Sequence, residues 1–174
     1  MLNFRKNLKK SLTIKTHSNL RDKIFLNPYN QWILSEKIIS RAFFELFAKL
    51  QPHHHQMIIQ QGEIILQPVS GEFSCIVQTP QDSAVILLFP ELIKALSSVD
   101  NSRGLAILAH EFGHIYYAHH KKNISTLEAQ IEADSIAFEA GLGHGLIDVL
   151  LKYHDIDSQT RVSILTAKIL SQQN

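Results

Sequence analysis

Two histidines four residues apart, with a glutamate directly after the first, are the part of this sequence best equipped for chemistry: His110 and His114 enclose Glu111, Phe112 and Gly113. On a helix, side chains at i and i+4 leave one face about a turn apart, so both imidazoles can bind one tetrahedral ion, and Zn²⁺ suits nitrogen donors. Glu111 then lies beside them as a general base. Its carboxylate can take a proton from water activated at the metal and later deliver it to a leaving amine, as metal-assisted hydrolysis requires. In a chain with ten histidines, five letters of this kind arise by chance on the order of a few per cent of the time, so context matters. The flanks are apolar on both sides (Leu105, Ala106, Ile107, Leu108 and Ala109, then Ile115, Tyr116 and Tyr117), as a helix buried in a core requires. Gly113 costs roughly 1 kcal/mol relative to alanine inside a helix. Its presence predicts a close neighbour such as a strand, a substrate or a metal-bound water.

The elements that hold this helix can be read from apolar periodicity and turn residues. Asn27 and Pro28 supply a helix start, and Trp32, Ile33, Ile38, Ile39, Phe43, Phe44, Phe47 and Leu50 recur at helical spacing up to Pro52, which predicts one core helix. Runs with β character follow at 57–67, 72–78 and 84–89, separated by turn signals at Gly62, 68–71 and 80–83. They predict a small, mainly antiparallel meander. Pro90 opens a short helix through Leu92, Ile93 and Leu96, and 97–101 form the loop before the motif helix, which runs from about 102 to about 119. Ser125 and Glu128 read as a capping box for a helix that ends at Gly141 or Gly143. Two amphipathic helices follow, around 146–153 and from 157 or 158 to 170. The resulting class is α+β, a small sheet packed on the motif helix with helices around it.

Other polar side chains have plainer readings. His53, His54 and His55 sit beside Pro52, and because consecutive residues face different ways they predict a solvated loop rather than a metal site. Tyr116 or Tyr117 can hydrogen-bond a tetrahedral intermediate, but packing is the expected duty. His119, His120 and His144 lie near helix ends, where a cation is favourable, so they read as caps.

Composition bounds the remaining possibilities. A chain of 174 residues, 45% of them hydrophobic, is long enough for one core, and we divide it into a basic segment 1–26 and a single domain 27–174. Seven of the 17 basic residues (Arg5, Lys6, Lys9, Lys10, Lys15, Arg21 and Lys23) face only Asp22 in the opening segment. That segment reads as a solvated leader; nucleic acid or an anionic surface is the alternative partner for it. No run approaches the roughly 18 apolar residues of a membrane span, and the N-terminus lacks the apolar stretch of a secretory signal. The lone Cys75 cannot form an internal disulfide and reads as a small core residue on a strand, in keeping with a cytoplasmic location.

The motif and its surroundings also resemble a family. The run Ala109, His110, Glu111, Phe112, Gly113, His114, preceded by the apolar stretch 84–89 and the short helix from Pro90, resembles gluzincin zinc metallopeptidases related to the CAAX prenyl protease and its small soluble relatives. The resemblance covers about residues 84–141, and Glu132, Ala133, Asp134, Ser135, Ile136 and Ala137 are similar to the family's downstream signature. It implies a zincin-like fold and Zn²⁺ held by His110 and His114. It also implies Glu111 as catalytic base, Asp134 as the carboxylate that orients a ligand histidine, and a peptide or protein substrate.

The family's third ligand is a glutamate four residues before that aspartate, and Gln130 stands there in this chain. Taking about 100° per residue, Glu128, Glu132, Ser135 and Glu139 fall on one stripe that reads as the solvent face, with Gln130 almost opposite on the side of Asp134 and Ala137. A neutral amide oxygen is a poorer zinc ligand than a carboxylate. Three arrangements follow: weakened binding through Gln130, direct ligation by Asp134, or a site without catalysis; a shift of register would bring Glu132 inward instead. The function expected is a zinc-dependent metalloendopeptidase that binds peptides along a sheet edge. The alternatives are a degenerate gluzincin scaffold acting as a binding or regulatory module, and an enzyme similar to the anti-repressor-type metalloproteases that cleave a transcriptional regulator.

Overall fold

The computed structural model describes residues 19–70, 75–79 and 83–172, the side chains of 75–79 excepted. Its first helix, α1 (Leu20–Phe25), is capped by the Asn19 side chain, which accepts from the Asp22 N–H. A 3-10 turn, Pro28–Asn30, leads into α2 (Gln31–Ser35) and α3 (Lys37–Lys49). The single core helix expected here is therefore interrupted at Glu36, whose φ of −99° and ψ of 84° leave the helical region. Apolar residues recur on both sides of the break, so periodicity alone does not reveal it. Leu20, Ile24 and Phe25 are buried in one core with Ile33, Phe43 and Phe47. The folded part thus reaches into segment 1–26, of which residues 1–18, with five of its basic side chains, lie outside the described residues.

Helix α4 (Pro52–Gln60) corrects the expected solvated loop at 53–55. Proline is tolerated in the first helical turn, where its missing N–H has no partner to lose. The Gln51 N–H donates to His54 Nδ1 across that turn at 3.2 Å. A proline followed by three histidines thus starts a helix, and His54 is fully buried.

Strands β1 (Glu63–Pro68), β2 (Cys75–Thr79) and β3 (Ser83–Leu88) form one sheet in the order β1-β3-β2. Strand β1 runs parallel to β3, and β2 antiparallel to it. The expected meander is corrected on this point: only the β2–β3 pair is antiparallel, because the last strand inserts between the first two. The reason is legible in β3 itself, where Ala84, Val85, Ile86, Leu87 and Leu88 are apolar on both faces, as suits a central strand covered on both sides. The outer edge of β1 is closed by the preceding helices. The Asn30 amide donates to the Ile64 carbonyl and accepts from the Leu66 N–H, and the Trp32 indole donates to the Leu66 carbonyl at 2.8 Å. Closing an edge in this way removes a site for unwanted strand pairing. Strand β2 is the other edge; the expected core position of the Cys75 side chain lies outside the described side chains.

Helices α5 (Pro90–Leu96), α6 (Ser102–Tyr116), α7 (Thr126–Glu139), α8 (Gly143–Leu150) and α9 (Ile156–Ser171) complete the chain. Helix α6 is central, packed by α4, α5, α7, α8 and β2, with Leu105, Ala106, Leu108, Ala109 and Phe112 fully buried. A Cβ on Gly113 would stand 2.5 Å from the Ala133 carbonyl oxygen and 2.7 Å from its Cα. The close neighbour expected at this glycine is therefore the backbone of α7, and that approach brings the side chains of α7 onto the histidine face of α6. Ser125 caps α7 by accepting from the Glu128 N–H, and Gly141, at φ 73°, turns the chain out of it. The class is α+β. Among the described residues, no helix is long and apolar enough to cross a membrane.

Candidate metal centre

The helical spacing of His110 and His114 places their Nε2 atoms 3.2 Å apart, with the two rings nearly perpendicular at 89°. Two nitrogens bound to one tetrahedral zinc at 2.0–2.1 Å lie about 3.3 Å from each other, so this is the separation a shared ion needs.

The other nitrogen of each ring decides which form the Nε2 atoms take. His110 Nδ1 donates to Asp134 Oδ1 at 2.7 Å, and Arg161 clamps the same carboxylate through Nε to Oδ2 at 2.8 Å and Nη2 to Oδ1 at 2.7 Å. His114 Nδ1 meets His119 Nδ1 at 2.7 Å, and His119 Nε2 donates to Glu132 Oε2 at 2.9 Å. With its Nε2–H committed to Glu132, neutral His119 accepts at Nδ1, so His114 donates there. Both Nε2 atoms of the pair thus carry lone pairs, facing each other. That arrangement is repulsive by itself and is relieved by a cation between them, so the donor set fits Zn²⁺.

The electrostatics keep this state. Burial, reinforced by His110, His119 and Arg161, pushes His114 down to about 3, so it stays neutral. Burial works to raise the Asp134 carboxyl, but the hydrogen bonds from Arg161 and His110 outweigh it and hold the group below the ordinary carboxylate value.

The structure separates the candidates for a third ligand. The Gln130 side-chain amide ends 3.5 Å from His114 Nε2, and its oxygen and nitrogen exchange places by a simple flip. Asp134 has both oxygens turned to His110 and Arg161. Glu132 faces His119 and Lys122, whose ammonium also donates to it. Of the three residues, Gln130 alone stands beside the facing nitrogens.

A cleft of about 1020 Å³ opens beside His110 and Glu111, between α5, α6, α8 and α9. Leu92, Ile107, Leu146 and Leu150 give it an apolar lining, and Arg161 and Tyr153 also border it. It lies on the helical side of the site, whereas the cleft expected from sequence follows the sheet edge.

A second histidine cluster lies beyond Tyr116. His53, His54 and Glu139 offer ligand atoms within 4.8 Å of one another. His54 Nδ1 accepts from the Gln51 N–H, so its Nε2 carries the proton and donates it to Glu139 Oε2 at 2.8 Å. His55 turns away to the Phe47 carbonyl at 3.0 Å. Tyr116 packs edge-on against His54, and Tyr117 stacks on His119 with ring planes 4° apart.

Two members of the His110–His114 site escape a sequence reading. His119, expected as a helix-end cation, is instead folded back onto His114; five residues beyond a ligand is not a helical spacing, so no periodicity marks it. Arg161 carries a signal that was there to use, since it shares the inward stripe of α9 with Ser158 and Leu165, where a cation calls for a buried anion. Comparison with protein-family models gives no match, and comparisons with curated proteins and with solved structures give none either.

Proposed function

We propose that the chain is a zinc-dependent metallopeptidase of the gluzincin type that hydrolyses peptide bonds, with His110 and His114 as ligands, Gln130 beside them and Glu111 as general base. One observation carries the reading: the Nε2 atoms of two imidazoles face each other across 3.2 Å, and each ring has a partner at Nδ1. Zn²⁺ bound there supplies a water acidified towards a pKa of about 7 and a Lewis acid for the scissile carbonyl. Glu111, which lines the cleft, would serve as the general base, holding the proton taken from water and delivering it to the leaving amine. Asp134 and Arg161 hold His110 in its ligating tautomer throughout. A peptide lying in this cleft can place an apolar side chain among Leu92, Ile107 and Leu146.

The test is zinc content together with cleavage of an unstructured protein. Protein purified without chelators should carry one zinc per chain, and Glu111→Gln should keep the zinc and the fold while losing roughly 10²–10⁴-fold in cleavage rate. Metal-free protein, or a Glu111→Gln variant as active as the parent, sinks the reading.

The neutral amide of Gln130 favours a second reading, a zinc-binding module without catalysis. Gln130→Glu separates the two. A peptidase with a weakened ligand should bind zinc more tightly and cleave faster with the carboxylate, whereas no change in either speaks for the module.

A further inference from the structure

We infer that His119 and Glu132 act together as a positioning pair for His114, Glu132 fixing the tautomer of His119 and His119 in turn holding the His114 Nε2 lone pair towards His110. This rests on the reading of His110 and His114 as metal ligands.

The argument begins with helical phase. Glu132 and Asp134 are two residues apart on α7, so their side chains leave the helix roughly 200° apart and cannot both reach the face of α6 in the same way. Asp134 points inward and touches His110 directly. Glu132 emerges to the side, 32% exposed, and needs an intermediary to act on His114. His119 is that intermediary, with Nε2 on Glu132 at 2.9 Å and Nδ1 on His114 at 2.7 Å. Each histidine of the pair is thereby backed by a carboxylate from α7, one in direct contact and one through an imidazole. The negative charge that Gln130 does not bring to the ion is in this way supplied from behind the rings, where outer carboxylates raise ligand basicity.

The backbone is bent to make this contact. Helix α6 stops at Tyr116, and Ala118 adopts φ 50° and ψ 46°, a left-handed conformation that costs a residue with a Cβ about 1–2 kcal/mol. That turn carries His119 back beneath His114. Tyr117 stacks on one face of the His119 ring, and the Lys122 ammonium stands 4.9 Å from the centroid of Tyr117 while also donating to Glu132. His119 is therefore fixed from four directions: the turn, the stacked ring, the carboxylate and His114.

The experiment uses the full chain, with zinc alone as the ligand, and two readouts. Chelator competition should show His119→Leu binding zinc roughly 10–100-fold more weakly than the parent, the usual cost of losing an outer partner. Glu132→Gln should fall between them, because an amide still accepts from His119 but brings no charge. His119→Gln should recover most of the loss, since its carbonyl can accept from His114 and its NH₂ can donate to Glu132. The second readout is the ¹H–¹⁵N correlation spectrum of the imidazoles in the zinc-free parent, where His114 should appear as the Nδ1–H tautomer. A His114 found as Nε2–H overturns the proposal, as does a His119→Leu variant that binds zinc like the parent or a His119→Gln variant as weak as His119→Leu. If the parent binds no zinc while His114 is the Nδ1–H tautomer, the metallopeptidase reading fails and the positioning pair stands.

Discussion

Two histidine clusters meet α7, each pairing imidazoles with carboxylates of that helix, yet their chemistry differs. On one side, His110 and His114 have their Nδ1 atoms committed as donors, which leaves two Nε2 lone pairs facing each other. On the other, His54 uses Nδ1 as an acceptor at the start of α4, so its Nε2 holds a proton and gives it to Glu139. An ion entering the second cluster would have to expel that proton and break a bond of the helix start. Proximity of ligating atoms is shared by both; the partner of the far nitrogen distinguishes them. In the first cluster the Nδ1 atoms are held by partners and the Nε2 atoms face each other, whereas in the second the His54–Glu139 bond fastens α4 to α7.

The comparison is broken or upheld most directly by zinc affinity. His110→Ala should weaken zinc binding by more than the roughly 10–100-fold typical of an outer partner, while Glu139→Gln should leave affinity and stoichiometry unchanged. Chelator competition on the three proteins decides it. If Glu139→Gln loosened zinc as much as His110→Ala, the assignment of the two clusters would be reversed.

A smaller effect tests the frame that sets them side by side. In Gly113→Ala, the new methyl would meet the Ala133 backbone at 2.5 Å, so α6 and α7 must separate. Overpacking of this kind costs about 1–3 kcal/mol, readable by urea unfolding. Zinc affinity should fall with it, because Gln130, Asp134 and Glu132 all reach the site from α7, whereas the His54–Glu139 contact at the far end of that helix should persist. A variant as stable as the parent would mean that the close crossing is not what positions the site.

The sequence carried more of the candidate site than of the frame around it. The i, i+4 histidines and the phase of Gln130 and Asp134 on α7 are consequences of helical geometry, and helix periodicity is a local property. The mixed sheet is not local: that β3 pairs with β1 in parallel depends on which strand takes the centre, and only the two-sided apolar run of β3 hints at it. The helix beginning at Pro52 was hidden because a proline beside polar residues serves equally as a turn signal and as a helix start. His119 was hidden for another reason. Its role depends on the left-handed turn at Ala118, a conformation that an alanine does not announce as a glycine would.

The smallest effect is in the pH dependence of stability, and it reads the protonation of the buried His54. Burial lowers the pKa of His54 from its ordinary 6.5, against the opposing pull of Glu139, with neighbouring His53 and His55 reinforcing the decrease. The folded chain therefore keeps His54 neutral at a pH where the unfolded chain has protonated it. Since the unfolded state then binds more protons, stability rises with pH across this window. The contribution is complete above about pH 6.5 and is lost progressively as the pH falls towards the lowered folded value. His114 and His119, also lowered chiefly by burial, add contributions of the same sign in the zinc-free chain. In His54→Gln the first contribution disappears and the other two remain, so the loss of stability between pH 7.5 and 5.5 should be shallower than in the parent without vanishing. One such group changes stability by at most about 1.4 kcal/mol per pH unit, a difference that urea unfolding at a series of pH values resolves. Equal slopes in the two proteins would mean that His54 gains its proton as readily folded as unfolded, and the contrast between the two clusters would lose its second half.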